Sequence, residues 1–141
     1  MSSHHIVYKE YYNIGVAVDT AHGLFVPVIK DTDKMSLTEI GEQLKHLAQL
    51  AKEKKLKAAD LDGGNITISN LGVIGTTAIF PIILSPQVSI IGVARYEVID
   101  NQKILPLTVA FDHRVINGAD AARFLSRIKN LLENPYSLIF N

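Results

Sequence analysis

The hydrophobic period of this chain changes abruptly between Lys30 and Ser36, so strands and a long helix have to share one core. Before the change, Ile14 to Thr20 (IGVAVDT) and Leu24 to Lys30 (LFVPVIK) are β-branched runs joined by Ala21-His22-Gly23. That pattern predicts a hairpin with glycine supplying the turn. After it, Ser36 to Lys55 carries apolar residues at Leu37, Ile40, Leu44, Leu47, Ala48 and Ala51, which is helical spacing. Ser36 with Glu39 forms a capping box, and Lys52, Lys54 and Lys55 sit at the end of the helix dipole that favours cations.

Further along, Asp62-Gly63-Gly64 reads as a turn, Asn65 to Ser69 as a strand and Asn70 to Gly75 as a glycine-punctuated loop. Phe80 to Leu84 and Val88 to Ala94 read as short buried segments separated by Ser85-Pro86. Tyr96 to Ile99 and Ile104 to Phe111 read as a second hairpin around Asp100 to Lys103, with Pro106 marking an irregularity or an edge. A last helix is expected from about Ala119 to Glu133, turning Ala121, Phe124, Leu125, Ile128, Leu131 and Leu132 inward until Pro135 stops it. The order of hairpin, helix, strands and helix predicts an α+β fold, a two-layer sandwich with a mixed β-sheet covered by helices on one face. Residues 1–10 read as a disordered or tag-like N-terminus, in which His4 and His5 are either native or a tag remnant, and 11–141 as one unit.

Composition excludes several function classes. In 141 residues, 48% are apolar and 20% charged, enough to bury a core. The 14 basic and 14 acidic residues balance, leaving no basic excess for a nucleic-acid partner. With no cysteine there is no disulfide, thiolate metal site or cysteine nucleophile. No apolar run approaches the roughly 20 residues that cross a bilayer, so no membrane partner is expected either.

The residues able to carry chemistry cluster late in the chain. His113 follows an apolar strand and precedes a helix-opening glycine, a place where a rigid scaffold can expose an imidazole suited to proton transfer near neutral pH. Asp112 and Arg114 flank it and either pin the loop or touch substrate. Asn117 suits a helix N-cap and can also orient a catalytic group. Ser69 ends a strand before the loop Leu71 to Gly75, where a hydroxyl can donate to a developing oxyanion. Gly72 and Gly75 lack the spacing of a dinucleotide fingerprint, no G-x-S-x-G is present, and His22 and His46 have no ligand-like spacing.

Three stretches together, YYNIGVAVDTAHGLFVPVIKD, GGNITISNLGVIGTTAIFPII and above all FDHRVINGADAARFL, resemble the C-terminal part of the catalytic domain of dihydrolipoamide acyltransferases. These are the acyltransferase core components of 2-oxoacid dehydrogenase complexes. The resemblance runs from about Tyr8 to Asn134 and implies a chloramphenicol acetyltransferase-like fold, here a partial domain. It implies acyl transfer between dihydrolipoamide and coenzyme A, with the lipoyl group carried on a separate domain and no metal involved. By the same resemblance His113 is the general base on the thiol, Ser69 stabilises the oxyanion, and Asn117 stands where much of the family has aspartate. Other implied properties are a homotrimer or larger core, with the active site between subunits and His113 facing Ser69 across the boundary. The lipoyl domain and the other components of the complex are its partners. The implied location is cytoplasmic, or the mitochondrial matrix in a eukaryote. The family's catalytic domain extends further at its N-terminal side, and Arg95 to Leu107 is shorter here than usual. Two alternatives follow: a truncated, non-catalytic structural or assembly fragment of that domain, and a chloramphenicol-type O-acetyltransferase acting on a hydroxyl.

Overall fold

The first hairpin forms where the sequence places it, but it bends so that its two halves belong to different sheets. Strands β1 (Ile14–Val16) and β4 (Val28–Ile29) pair antiparallel in the main sheet, while β2 (Val18–Thr20) and β3 (Gly23–Phe25) form an outer two-stranded ribbon. The bend falls at Ala17 and at Val26-Pro27. There the Val16 amide still donates to the Pro27 carbonyl at 2.9 Å, whereas the Ala17 amide turns to Ile68 at 2.9 Å. This computed structural model describes residues 5–136, so His4 lies outside it, and residues 5–10 carry no regular secondary structure.

Helix α1 (Leu37–Lys52) starts at the capping box, with the Glu39 amide donating to Ser36 Oγ and the Ser36 amide donating to the Glu39 carboxylate at 2.7 Å. Such a cap contributes about 1 kcal/mol. A four-residue helix, α2 (Ala58–Leu61), follows and was not anticipated; its start is held by Asp60, whose carboxylate accepts the Lys57 amide at 2.8 Å. Strand β5 (Ile66–Asn70) then enters the sheet parallel to β1, and β6 (Ser89–Val93) lies parallel to β5.

Between β5 and β6 the sequence led us to expect a buried segment from Phe80 to Leu84, and the structure corrects this. The stretch carries no regular secondary structure and joins no ladder. Ile79 is buried, while Phe80 and Ile82 point outward at 88% and 89% exposure. Its inner residues cross the sheet where Gly92 leaves room: a Cβ there would come within 2.7 Å of Ile79 and 3.2 Å of Pro81.

The second hairpin is shorter than expected: β7 (Glu97–Ile99) pairs only with β8 (Gln102–Ile104), and the rest of the expected second strand leaves it. It turns on Asp100-Asn101, both left-handed at φ 50° and 62°, as a two-residue hairpin loop requires. Pro106 breaks the run as expected, and β9 (Leu107–Phe111) returns antiparallel to β6. The main sheet therefore runs β4-β1-β5-β6-β9, a mixed open sheet with helices packed against it. α1 packs on β2 and β4, α2 on β4, and α3 (Gly118–Glu133) on β9. Ala121 is buried in α3, with Leu125, Ile128 and Leu131 partly covered; Phe124 and Leu132, expected inward, are exposed.

The start of the sheet is tied by a pair of amides. Asn13 accepts from the Asp31 amide at 2.9 Å, donates to the Gly63 carbonyl at 3.0 Å, and exchanges two bonds with Asn65 at 2.8 Å each. The Asn13 side chain thereby satisfies two backbone segments, at Asp31 and Gly63, while its own main chain is held by Asn65. Deeper in, the fully buried Thr67 hydroxyl donates to Gln87 at 2.7 Å.

Candidate active site

The ladder of β9 continues one residue past the strand, because the Asp112 amide donates to Val88 at 2.8 Å. The chain then coils into a tight turn in which the amides of Val115 and Ile116 both donate to the Asp112 carbonyl, at 3.0 and 2.9 Å. The Asp112 carboxylate closes the same turn from the side-chain direction, accepting the Arg114 amide at 3.0 Å. Arg114 folds back to grip it with its guanidinium, Nε at 3.0 and 3.1 Å and Nη2 at 2.6 Å. Asn117 then caps α3, accepting the Asp120 amide at 2.9 Å, and its amide nitrogen donates to the Asp120 carboxylate.

The Arg114 side-chain bonds, helped by its backbone N–H, lower the Asp112 carboxyl to about 2. A lowered value means the folded turn favours the charged carboxylate. The turn is therefore fully braced above the ordinary carboxylate range near 4 and loses its brace only as pH falls through about 2. We expect the Asp112 carboxyl carbon, followed by NMR, to titrate well below the solvent-exposed aspartates; a midpoint near 4 would show that the fork does not persist in solution.

His113 sits at the crest of this turn and is exposed. Its ring leans on Phe111, with centroids 5.6 Å apart and planes at 42°, and makes no hydrogen bond among the described residues. Ser69 is half-buried on β5, and its hydroxyl likewise makes no hydrogen bond among the described residues. These two groups are not brought together within the chain. Ser69 is in register with Gly92 and Thr108, whereas Asp112 lies beside Val88, toward the other end of β6. At the usual strand rise and spacing this is roughly 13 Å along the sheet and about 10 Å across it. A base and an oxyanion donor must each lie about 3 Å from one reacting group. His113 and Asn117 thus share one end of the sheet, and Ser69 stands at the other.

Each end has its own groove. Past the end of β5, about 880 Å³ opens between the loop after β5 and the chain after β6, lined among others by Asn70, Thr77, Arg95 and Tyr96 but not by Ser69 itself. Near His113, about 600 Å³ is lined by Ile6, Val7, Pro86, Val88, Val115 and Ile116. Arg95 and the N-terminal residues were not singled out as site candidates from the sequence; neither has a motif, and both matter only through where the fold puts them. His5 lines the second groove. Among the described residues no three His, Cys, Asp or Glu gather in a way that would hold a metal ion, and no helix is long and apolar enough to cross a membrane.

The model of one protein family, the 2-oxoacid dehydrogenases acyltransferase (catalytic domain), matches residues 1–140. The chain belongs to this family. It is 46% identical over 144 residues to the dihydrolipoyllysine-residue succinyltransferase component of the 2-oxoglutarate dehydrogenase complex of Rickettsia typhi. That match takes in 96% of this chain but 36% of the Rickettsia protein, so the chain spans about a third of that relative's length. Among solved structures it superimposes on the dihydrolipoamide acetyltransferase of Azotobacter vinelandii with a TM-score of 0.90 at 41% identity, covering 97% of this chain and 60% of that one. It also matches the cubic core of a pyruvate dehydrogenase multienzyme complex, with a TM-score of 0.90 at 42% identity, covering 97% of this chain and 60% of that one. The mixed sheet with its helices is thus the fold of this acyltransferase family's catalytic cores.

Proposed function

We propose that this chain transfers an acyl group between dihydrolipoamide and coenzyme A, at a site completed by a second copy of itself within a 2-oxoacid dehydrogenase complex. The observation that carries the reading is the separation of His113 from Ser69. Each is held on a strand or the turn that follows one, and neither polar group has a hydrogen-bond partner among the described residues. In a homotrimer or larger core, the His113 end of one subunit meets the Ser69 end of the next. Support comes from the Azotobacter structure, which belongs to a study of a serine, a histidine and an asparagine in that enzyme's catalytic mechanism. The same three residue types occur here as Ser69, His113 and Asn117, and the histidine and asparagine are four residues apart in both proteins. The cubic core shows that a protein of this fold assembles into a large particle.

In this reading the His113 imidazole accepts the proton of the attacking thiol, which is mostly protonated at neutral pH because thiols titrate near ~8.5. The new sulfur–carbon bond forms at the thioester carbonyl, and Ser69 donates its hydroxyl hydrogen bond to the resulting oxyanion. Collapse breaks the original carbon–sulfur bond, and the leaving thiolate takes the proton back from His113. The groove past the end of β5, one residue beyond Ser69, is large enough for an extended thioester arm. Asn117 braces the base by capping α3 behind it. The lipoyl group arrives on a separate domain, and the partners are that domain and the other components of the complex.

A coupled assay with dihydrolipoamide and either acetyl-CoA or succinyl-CoA, run alongside sedimentation, tests this directly. Acyl transfer by assembled particles is expected. Assembled particles that transfer neither group would overturn the reading in favour of a non-catalytic assembly role.

A further inference from the structure

We propose that Asp112 is a positioning residue for His113, acting through the fork it forms with Arg114; this rests on the assignment of His113 as the base. An imidazole that works as a base is ordinarily held by a hydrogen bond from its second nitrogen to a carboxylate or carbonyl. The His113 ring has none among the described residues, and it leans on the Phe111 ring. Its direction is therefore set by the backbone that carries it.

That backbone is fixed mainly by one residue. Asp112 anchors to β6 through its amide, its carbonyl takes two amides from downstream, and its carboxylate takes the Arg114 amide and the whole edge of the guanidinium. His113 is the only residue inside the small ring that Asp112 and Arg114 close. Isolated surface ion pairs contribute little, but a bidentate fork across a two-residue spacing is geometrically specific in a way a lone ammonium is not. The Arg114 side chain is 89% exposed while that of Asp112 is 22% exposed, so the carboxylate is the fixed member and the guanidinium the closing one. Asn117 bonds Asp120, leaving it engaged in the helix cap rather than the ring. The two devices act from opposite sides of His113.

The test uses the assembled protein with Asp112→Asn, Arg114→Gln, Arg114→Lys and the double variant Asp112→Asn with Arg114→Gln. Each single change is expected to lower kcat about tenfold to a hundredfold with KM for dihydrolipoamide unchanged, since a small misplacement of a base costs that much. Arg114→Lys should not rescue, and the double variant should be no worse than either single one, because both remove the same fork. Melting temperature and particle mass serve as controls for folding. An independent measurement, the nuclear Overhauser contact between the His113 and Phe111 rings in selectively labelled protein, should weaken in Asp112→Asn. Unchanged kcat in the single variants, losses that multiply in the double variant, or a ring contact that survives Asp112→Asn would each overturn the proposal. If the wild-type particle transfers no acyl group, the functional reading fails, and the ring contact alone decides whether Asp112 orients His113.

Discussion

Chains carrying His113→Ala and chains carrying Ser69→Ala are each expected to lose acyl transfer, yet to recover about a quarter of the wild-type sites when assembled together in equal amounts. Removing a general base costs about 10²- to 10⁴-fold, and removing an oxyanion donor about 10²- to 10³-fold. Were both groups to act within one chain, mixing the variants would change nothing, since every chain would lack one of them. The sheet register places the two residues far apart in one chain, since Ser69 aligns with Gly92 while Asp112 lies beside Val88. At a boundary between copies, a working site needs His113 from a Ser69→Ala chain and Ser69 from a His113→Ala chain. Random assembly supplies that combination at about one boundary in four. Activity should appear only after dissociation and joint reassembly, not on simple mixing of finished particles. Rates no better than the two variants measured apart, in particles shown by mass spectrometry to contain both chains, would refute a shared site.

The second large effect concerns the loop that follows Ser69. Gly72 packs flat on the chain leaving β6. A Cβ at this position would lie 2.8 Å from the Ala94 carbonyl oxygen, 3.0 Å from its carbon and 3.2 Å from Arg95 Cα. All three are backbone atoms, and they cannot step aside as the tip of a side chain can. The loop is also tied there by Leu71 donating to Val93 at 3.0 Å and Arg95 donating to Thr76 at 2.7 Å. Gly72→Ala is therefore expected to cost about 2–3 kcal/mol, lowering Tm by about 6–10 °C for a chain of this size. It should also impair transfer, because the loop leads directly out of the strand that bears Ser69. The contrast is Gly41→Ala inside α1, where a Cβ meets nothing within 4 Å and the better helix former should raise stability by up to about 1 kcal/mol. Equal effects at the two positions in thermal melts would show that the contact with Ala94 is not tight.

What the sequence revealed depended on how local each feature is. The capping box at Ser36, the helical period of α1, the α3 cap at Asn117 and the break at Pro106 are decided by residues a few positions apart, and each stands where it was expected. Sheet membership is not local. Nothing within IGVAVDT announces that Ile14 to Val16 will lie beside β5 and Val18 to Thr20 will leave the sheet. Phe80 to Leu84 misled because an apolar run signals only that something will cover it, and in this chain three of its five residues, Phe80, Ile82 and Leu84, remain exposed. α2 is too short to show a period. At the site, residue types and spacing singled out His113, Asn117 and Ser69. The separation of His113 from Ser69 came first from family resemblance and then from the register of three strands. Asp112 and Arg114 were recognisable as a pair around His113, but that they grip each other is a matter of side-chain geometry.

The strand order also sets a timetable. The turn that presents His113 is closed by bonds spanning two to four residues, and α3 packs back on the strand immediately before it. Ser69 rides on β5, which lies between β1 and β6, and its tie to the first of these through Asn13 and Asn65 spans 52 residues. Contacts of that reach close slowly, because a long loop must be brought together before any bond is gained. During synthesis and refolding, the turn bearing His113 should acquire amide-exchange protection early and the strand bearing Ser69 late, so one end of the sheet is formed before the other.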